Sequence, residues 1–314
     1  MLRKLLVITS SLVALWPASS QATEYALGRP ITAEQISSDM GIVPPEPGWG
    51  VSISSINYNG DIGGSRQVPL GGKISSGIDA SVSYNMANFT HIWDTGTGSW
   101  NFASAFGAPL EFVKIKASVA TDNSGFGVSD STSGIGDILL TPIIAGKHFS
   151  KTDHMSLSLS IFAPSASYSA SNLANLGQNN WTFMPTIAYT HLYSDGGEFT
   201  AMGMLQLYTR NHATDYTNAP LLVTEAMWTT RVATGTNLGV VGGVIYQLGD
   251  DKGPIADRLN GFQGQAVGLG PIITWSGKFG GTPASLSARW VTDVEARNRP
   301  KGNSLGLSVS LLFL

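Results

Sequence analysis

The stretch SLGLSVSLLF, residues 304–313, places Leu305, Leu307, Val309, Leu311 and Phe313 on one phase and Ser304, Gly306, Ser308 and Ser310 on the other. A period of two is the signature of a strand with one apolar and one small polar face. The same pattern recurs upstream. Met155, Leu157, Leu159 and Ile161 alternate with Ser156, Ser158 and Ser160, and Ile78, Ala80, Val82, Tyr84 and Met86 alternate with Asp79, Ser81, Ser83 and Asn85. Alternation alone fits a soluble sandwich as well as a membrane barrel.

Strand length and loop order separate the two. Strands centre on residues 49–59, 77–93, 100–121, 134–148, 154–163, 181–192, 198–211, 220–233, 238–248, 263–275, 285–294 and 304–313. Most reach the roughly 9–11 residues that a tilted membrane strand needs. Short connections at 94–99, 149–153, 193–197 and 234–237 alternate with longer ones at 60–76, 122–133, 164–180, 212–219, 249–262 and 295–303, and 276–284 is the least compliant short turn. An even strand number with short turns at one end and long loops at the other is the pattern of an outer-membrane barrel. The expected fold is therefore an all-β, transmembrane, antiparallel up-and-down barrel of about 12 strands. Trp93, Trp100, Tyr193, Trp275 and Phe313 fall at the short-turn ends, where aromatic girdles settle.

Outside residues 49–314 two segments behave differently. Arg3 and Lys4 precede an apolar run from Leu5 to Trp16, then Ser20-Gln21-Ala22, which reads as a signal peptide over residues 1–22. Residues 23–48 carry Pro30, Pro44, Pro45 and Pro47 with little alternation, and read as a periplasmic lead-in or a partial plug of the lumen. Twelve strands enclose a cylinder roughly 24 Å across, which side chains narrow to a path for one small ligand.

Composition removes other function classes. A net charge of −3 offers no basic stripe for nucleic acid, and with no cysteine there is neither a thiolate metal site nor a thiol nucleophile. The histidines His91, His148, His154, His191 and His212 sit in no nucleophile-elbow or zinc-protease motif, so neither catalytic residues nor a cofactor or metal are expected. The expected partners are outer-membrane lipid, a small hydrophobic ligand and the barrel-assembly machinery. A lipid-modifying enzyme and a structural or adhesion barrel are the competing readings.

Parity also selects lumen candidates. In 285–294 the phase of Ser285, Ser287, Arg289 and Asp293 continues to Glu295 and Arg297, opposite Leu286, Ala288 and Trp290. An arginine on the lipid face would cost about 2–4 kcal/mol, so the charged phase is expected inside. Glu225 and Arg231 share one phase, as do Gln206, Tyr208 and Arg210, giving an expected ladder of acids and arginines.

Several short stretches are also arranged in a familiar order: Gly134-Ile135-Gly136-Asp137 with Leu140-Thr141-Pro142, Asn179-Asn180-Trp181-Thr182 with Pro185, Asn211 with Thr214-Asp215-Tyr216, Tyr246-Gln247 with Asp250-Asp251, Leu269-Gly270-Pro271, and Asn298-Arg299 with Gly302. In these the chain resembles the outer-membrane proteins of the phenol meta-degradation pathway group over residues 48–314. Ala219-Pro220 departs from the family's usual Ser-Gly at that point. The resemblance implies a transporter-like barrel for aromatic or other hydrophobic compounds. On the strand scheme, Asp137, Asn180, Trp181, Asn211, Asp215, Tyr216 and Arg299 gather at the long-loop end as an expected mouth.

Overall fold

The structure is a computed structural model and describes residues 29–70, 73–96, 98–121 and 124–314. The signal-peptide reading of residues 1–22 lies outside them. Thirteen strands follow in order: β1 (Gly48–Leu70), β2 (Lys73–Ile92), β3 (Trp100–Thr121), β4 (Ser124–Ile135), β5 (Leu139–His148), β6 (Asp153–Phe162), β7 (Thr182–Leu192), β8 (Glu198–Tyr208), β9 (Leu221–Ala233), β10 (Thr236–Gln247), β11 (Gln265–Phe279), β12 (Thr282–Arg297) and β13 (Lys301–Phe313). One short helix, α1 (Pro254–Arg258), interrupts the loop before β11.

All pairings are antiparallel, and β2–β3 together with β1–β13 close the sheet on itself. The upper part of β3 pairs with β4, from Leu110↔Ile135 to Thr121↔Ser124, and its lower part with β5, from Trp100↔Lys147 to Gly107↔Leu139. Thus β4 and β5 form one stave broken at residues 136–138, and thirteen strands make a twelve-stave barrel. The sequence reading of one continuous strand over 134–148 is corrected by that break.

The long-loop end also differs from expectation. Residues 60–76 and 122–133, read as loops, mostly continue the β1–β2 and β3–β4 hairpins. The extended β1, β2 and β3 keep an apolar phase of Ile62, Val68, Ile78, Ala80, Val113, Ile115 and Ala117, which is covered by Ala174, Leu259 and Phe262 from the loops. Burial of that face lets the ladders extend past the membrane-spanning length. At the other end, 276–284 collapses to a two-residue turn. Gly280 and Gly281 have φ of +56° and +94°, a pair of left-handed positions that glycine takes without strain and that suits the twist of a hairpin.

Outward side chains form the lipid-facing belt, among them Ile53, Phe89, Ile143, Ile187, Trp228, Val240, Trp290 and Leu307. Inward ones alternate with them: Met184, Ala188, Met202, Met204, Val223, Met227, Val241, Ile245, Ile272 and Val291 form an interior cluster with Ala33 and Ile36. Residues 29–47 therefore run inside the barrel, with Arg29 at the long-loop end and Val43 beside His148 at the short-turn end.

Leu307, midway along β13, tests the belt. Leu307→Arg is expected to cost about 2–4 kcal/mol in urea unfolding from lipid vesicles. Ser308→Ala, which faces inward and loses one hydroxyl bond to Ser287, is expected to cost less than about 1.5 kcal/mol.

Candidate functional site

The lumen is divided by residues 29–47, which the wall grips chiefly by their backbone. The Glu225 carboxylate accepts the N–H groups of Gln35 and Ile36, both at 2.8 Å. Arg289 donates to the Ala33 carbonyl at 2.9 Å, and Arg299 donates to the Pro30 carbonyl at 2.6 Å. Toward the short-turn end Thr190 accepts from Gly41 N–H, Ser156 donates to the Met40 carbonyl, and a His148 ring nitrogen lies 2.9 Å from the Val43 carbonyl. Glu34 adds a side-chain anchor, accepting from the Ser304 hydroxyl at 2.5 Å with Arg289 3.9 Å away.

Asp137 organises the long-loop end. It sits at the break between β4 and β5, fully enclosed, and one carboxylate oxygen accepts the N–H groups of Ser165 and Ala166. The other accepts from Gln178 N–H and from Arg29, at 3.1 and 2.9 Å. Arg29 also donates to the Thr182 hydroxyl at 2.8 Å and lies over the Phe162 ring, 4.3 Å from its centroid. One carboxylate thus joins the wall, the loop of residues 163–181 and the inner segment.

Between these anchors lies a cavity of about 370 Å³. Ile56, Val82, Met86, Leu139, Phe162 and Met204 give it apolar walls, and Leu173 and Leu176 cover it from the loop. Tyr84 and Glu111 stand in its wall directly opposite each other across β2 and β3. The enclosure can hold a small apolar molecule and offer it a few polar contacts.

Against this geometry, the model of the family described as "Putative MetA-pathway of phenol degradation" matches residues 60–309. The chain belongs to this family. Among solved structures it is similar to the COG4313 outer membrane channel from Pseudomonas putida F1, with 18% identity and a TM-score of 0.68 over 89% of this chain and 100% of that one. A FadL homologue from Pseudomonas aeruginosa aligns at 7% identity with a TM-score of 0.42, over 87% of this chain and 91% of that one. None of the curated proteins compared matches the chain.

Within this member of the family the candidate residues divide into three groups. Asp137, Asn180, Tyr208, Glu225, Arg289 and Arg299 lie in or beside the lumen, where Tyr208 donates to Gln206 and the Asn180 side chain accepts from Thr182. Asn211 and Tyr216 are buried in the loops: Asn211 donates to the Tyr168 hydroxyl and Tyr216 to Asp251. The remainder lie elsewhere. Trp181 is 44% exposed because it is out of phase with the buried Thr182. Arg210 and Asp215 pair with each other in an exposed loop, beyond the end of β8. Arg231 is exposed beside Gly196 near the turn that follows β9, and does not pair with Glu225. Glu295 is exposed and accepts from Gln265, because a bulge between Asp293 and Glu295 reverses the phase of β12 after Asp293. Arg297 is half-buried past the same bulge.

Sequence reasoning passed over Arg29, Glu34, Tyr84 and Glu111. The first two belong to a segment without periodicity. Glu111 was within reach of parity, since Leu110 and Phe112 on either side point outward.

Two outcomes follow. Asp137→Ala is expected to leave a heat-modifiable barrel while making residues 163–181 and 29–47 susceptible to protease, since it removes the acceptor of Arg29 and of three backbone N–H groups at once. Glu34 is raised to about 6 by burial, with Arg289 and the Ser304 bond opposing the shift. Its neutral form is favoured when seated, so seating is firmest below the free value of 4.5 and weakens as pH rises through 6, by about 2 kcal/mol for a shift of this size. Protease access to residues 29–47 is expected to increase from pH 4.5 to 7.5, and the increase to shrink in Glu34→Gln.

Proposed function

We propose that this chain is an outer-membrane channel that admits a small, mainly apolar molecule by passive diffusion. The observation that carries the reading is a cavity walled more by apolar than by polar side chains, within a barrel whose exterior is itself apolar. A lipid-facing belt places the wall in a bilayer, and a greasy chamber inside it suits a solute that partitions out of water. Membership of a phenol-degradation family supports an aromatic or similarly hydrophobic compound, and the likeness to an outer membrane channel supports a Gram-negative outer membrane as the site.

The filled lumen argues against an open water pore. Residues 29–47 occupy the cross-section, so a solute must move between apolar side chains and the mobile ends of methionines such as Met86, Met184 and Met204. The break at 136–138 leaves β4 paired only with β3 among the described strands, covered by the loop that Asp137 holds. Lipid and the hydrophobic solute are then its partners, and assembly into the membrane calls on the barrel-assembly machinery. We read it as a channel rather than an enzyme because the enclosed site is a chamber with apolar walls.

Met204→Trp, which fills the cavity without altering charge, tests the path. In proteoliposomes this variant is expected to reduce uptake of toluene at least about fivefold with the barrel still heat-modifiable, as lost cavity volume closes the route. Unchanged uptake in a folded variant would sink the reading.

A further inference from the structure

The cavity wall holds two polar groups that none of the described residues engages. Tyr84 and Glu111 are cross-strand partners with inward phase, an arrangement that sets their Cβ atoms about 4.5–5.5 Å apart. Among the described residues none hydrogen-bonds the Glu111 carboxyl or the Tyr84 hydroxyl, and only charges at longer range act on them. Glu111 lies against the backbone of Gly136, at the break in the wall, where any Cβ would collide with its carboxylate. Bare backbone there is what lets the carboxyl stay in the chamber.

The other charged groups around the cavity are already committed. Arg29 serves Asp137 and Thr182, Glu34 takes Ser304 and lies near Arg289, and Asp293 takes Tyr58 and Gly302 N–H. Arg299 donates to Pro30. On the lining itself two cations, Arg29 and Arg299, stand against three carboxyls, Glu34, Glu111 and Asp293. Behind them Arg289 is outnumbered by Asp137 and Glu225. An arriving anion would give up its hydration for a chamber whose two cations already serve Asp137, Thr182 and the Pro30 carbonyl.

We propose that the chamber selects neutral apolar molecules bearing one hydrogen-bond donor, which Glu111 and Tyr84 receive, and that it rejects organic anions of the same shape. This rests on the channel reading above and narrows it. The apolar body lies against Val82, Ile115, Leu139 and Phe162, and the donor points to the paired oxygens on β2 and β3. A donor that reaches an otherwise unengaged carboxyl gains a buried hydrogen bond, which an ether of equal size, having no donor, cannot form.

The test uses three probes with one skeleton: para-butylbenzyl alcohol, its methyl ether and para-butylbenzoate. Binding to the full-length barrel in detergent is measured by calorimetry, and uptake is measured in proteoliposomes. The alcohol is expected to bind about tenfold more tightly than the ether and the benzoate, the scale of one buried hydrogen bond. Glu111→Leu, which removes the acceptor, is expected to narrow the gap between alcohol and ether about tenfold, and Tyr84→Phe to narrow it by a smaller factor. Equal binding of all three to the wild type, or ratios unchanged in a folded Glu111→Leu barrel, overturns the selectivity. Selective binding without uptake above protein-free vesicles upholds the site and removes the channel reading, whereas no binding and no uptake of any probe removes both.

Discussion

Within hydrocarbon there is no water to satisfy a backbone amide, so a sheet that crosses it must return every N–H and C=O to its own ladders. The closing registers meet this demand: β1 follows β13 from Trp49↔Phe313 to Asp61↔Lys301, and β2 follows β3 without a shift from Ile78 to Ile92. Bulges interrupt several ladders, but only one stave among the described residues breaks outright. Between β4 and β5 the chain leaves the ladder, and the lost pairings are replaced locally. Gly136 N–H goes to the Pro109 carbonyl, Ile138 N–H to the Ser165 hydroxyl, and the Ile138 carbonyl receives Ala163 N–H. Asp137, between them, takes the loop and Arg29. The interruption is thus a hydrogen-bonded corner where wall, loop and inner segment meet.

Closure creates the second requirement. Twelve staves enclose more space than their inward side chains fill, and an unfilled apolar interior forfeits contacts along every surface that lines it. Residues 29–47 occupy much of that space, with Ala33 and Ile36 completing the methionine-rich cluster. What remains is the chamber between the segment, β1–β3 and the loop of residues 163–181. Its size is therefore set by how deeply an otherwise irregular segment seats.

The barrel was legible because each stave carries its own evidence. Leu305 to Phe313 needs no distant residue to reveal a two-faced strand, and twelve such patterns with alternating connections exclude most other folds. On the inward phase that parity assigns, Glu225 and Arg289 are buried and Tyr208 packs against the interior cluster. Parity failed where the period itself failed. The bulge after Asp293 adds one residue to β12 and turns Glu295 outward, and no local sequence signal marks it. Arg210 and Arg231 kept the right phase but lie past the end of the enclosed wall, where facing inward no longer means facing the lumen. Strand ends at 70 and 124 were hidden because Gly, Ser and Asn there resemble loop composition, although loop side chains folded above the barrel give that face something to bury against.

The inner segment was illegible for a deeper reason. The wall recognises it mainly through peptide groups: N–H of Gln35, Ile36 and Gly41, and carbonyls of Pro30, Ala33, Met40 and Val43. Nearly any side chain supplies those groups, so the segment's own sequence carries little record of its position. The information is on the partners, as inward charges in a lipid-embedded wall. Glu225 has to meet donors, and Arg289 and Arg299 have to meet acceptors, because each is buried where water cannot serve it. A barrel lined with acids and arginines at matched heights thus implies a strand-like guest between them. Charged residues that seemed to form a ladder with one another instead hold the backbone that divides the lumen.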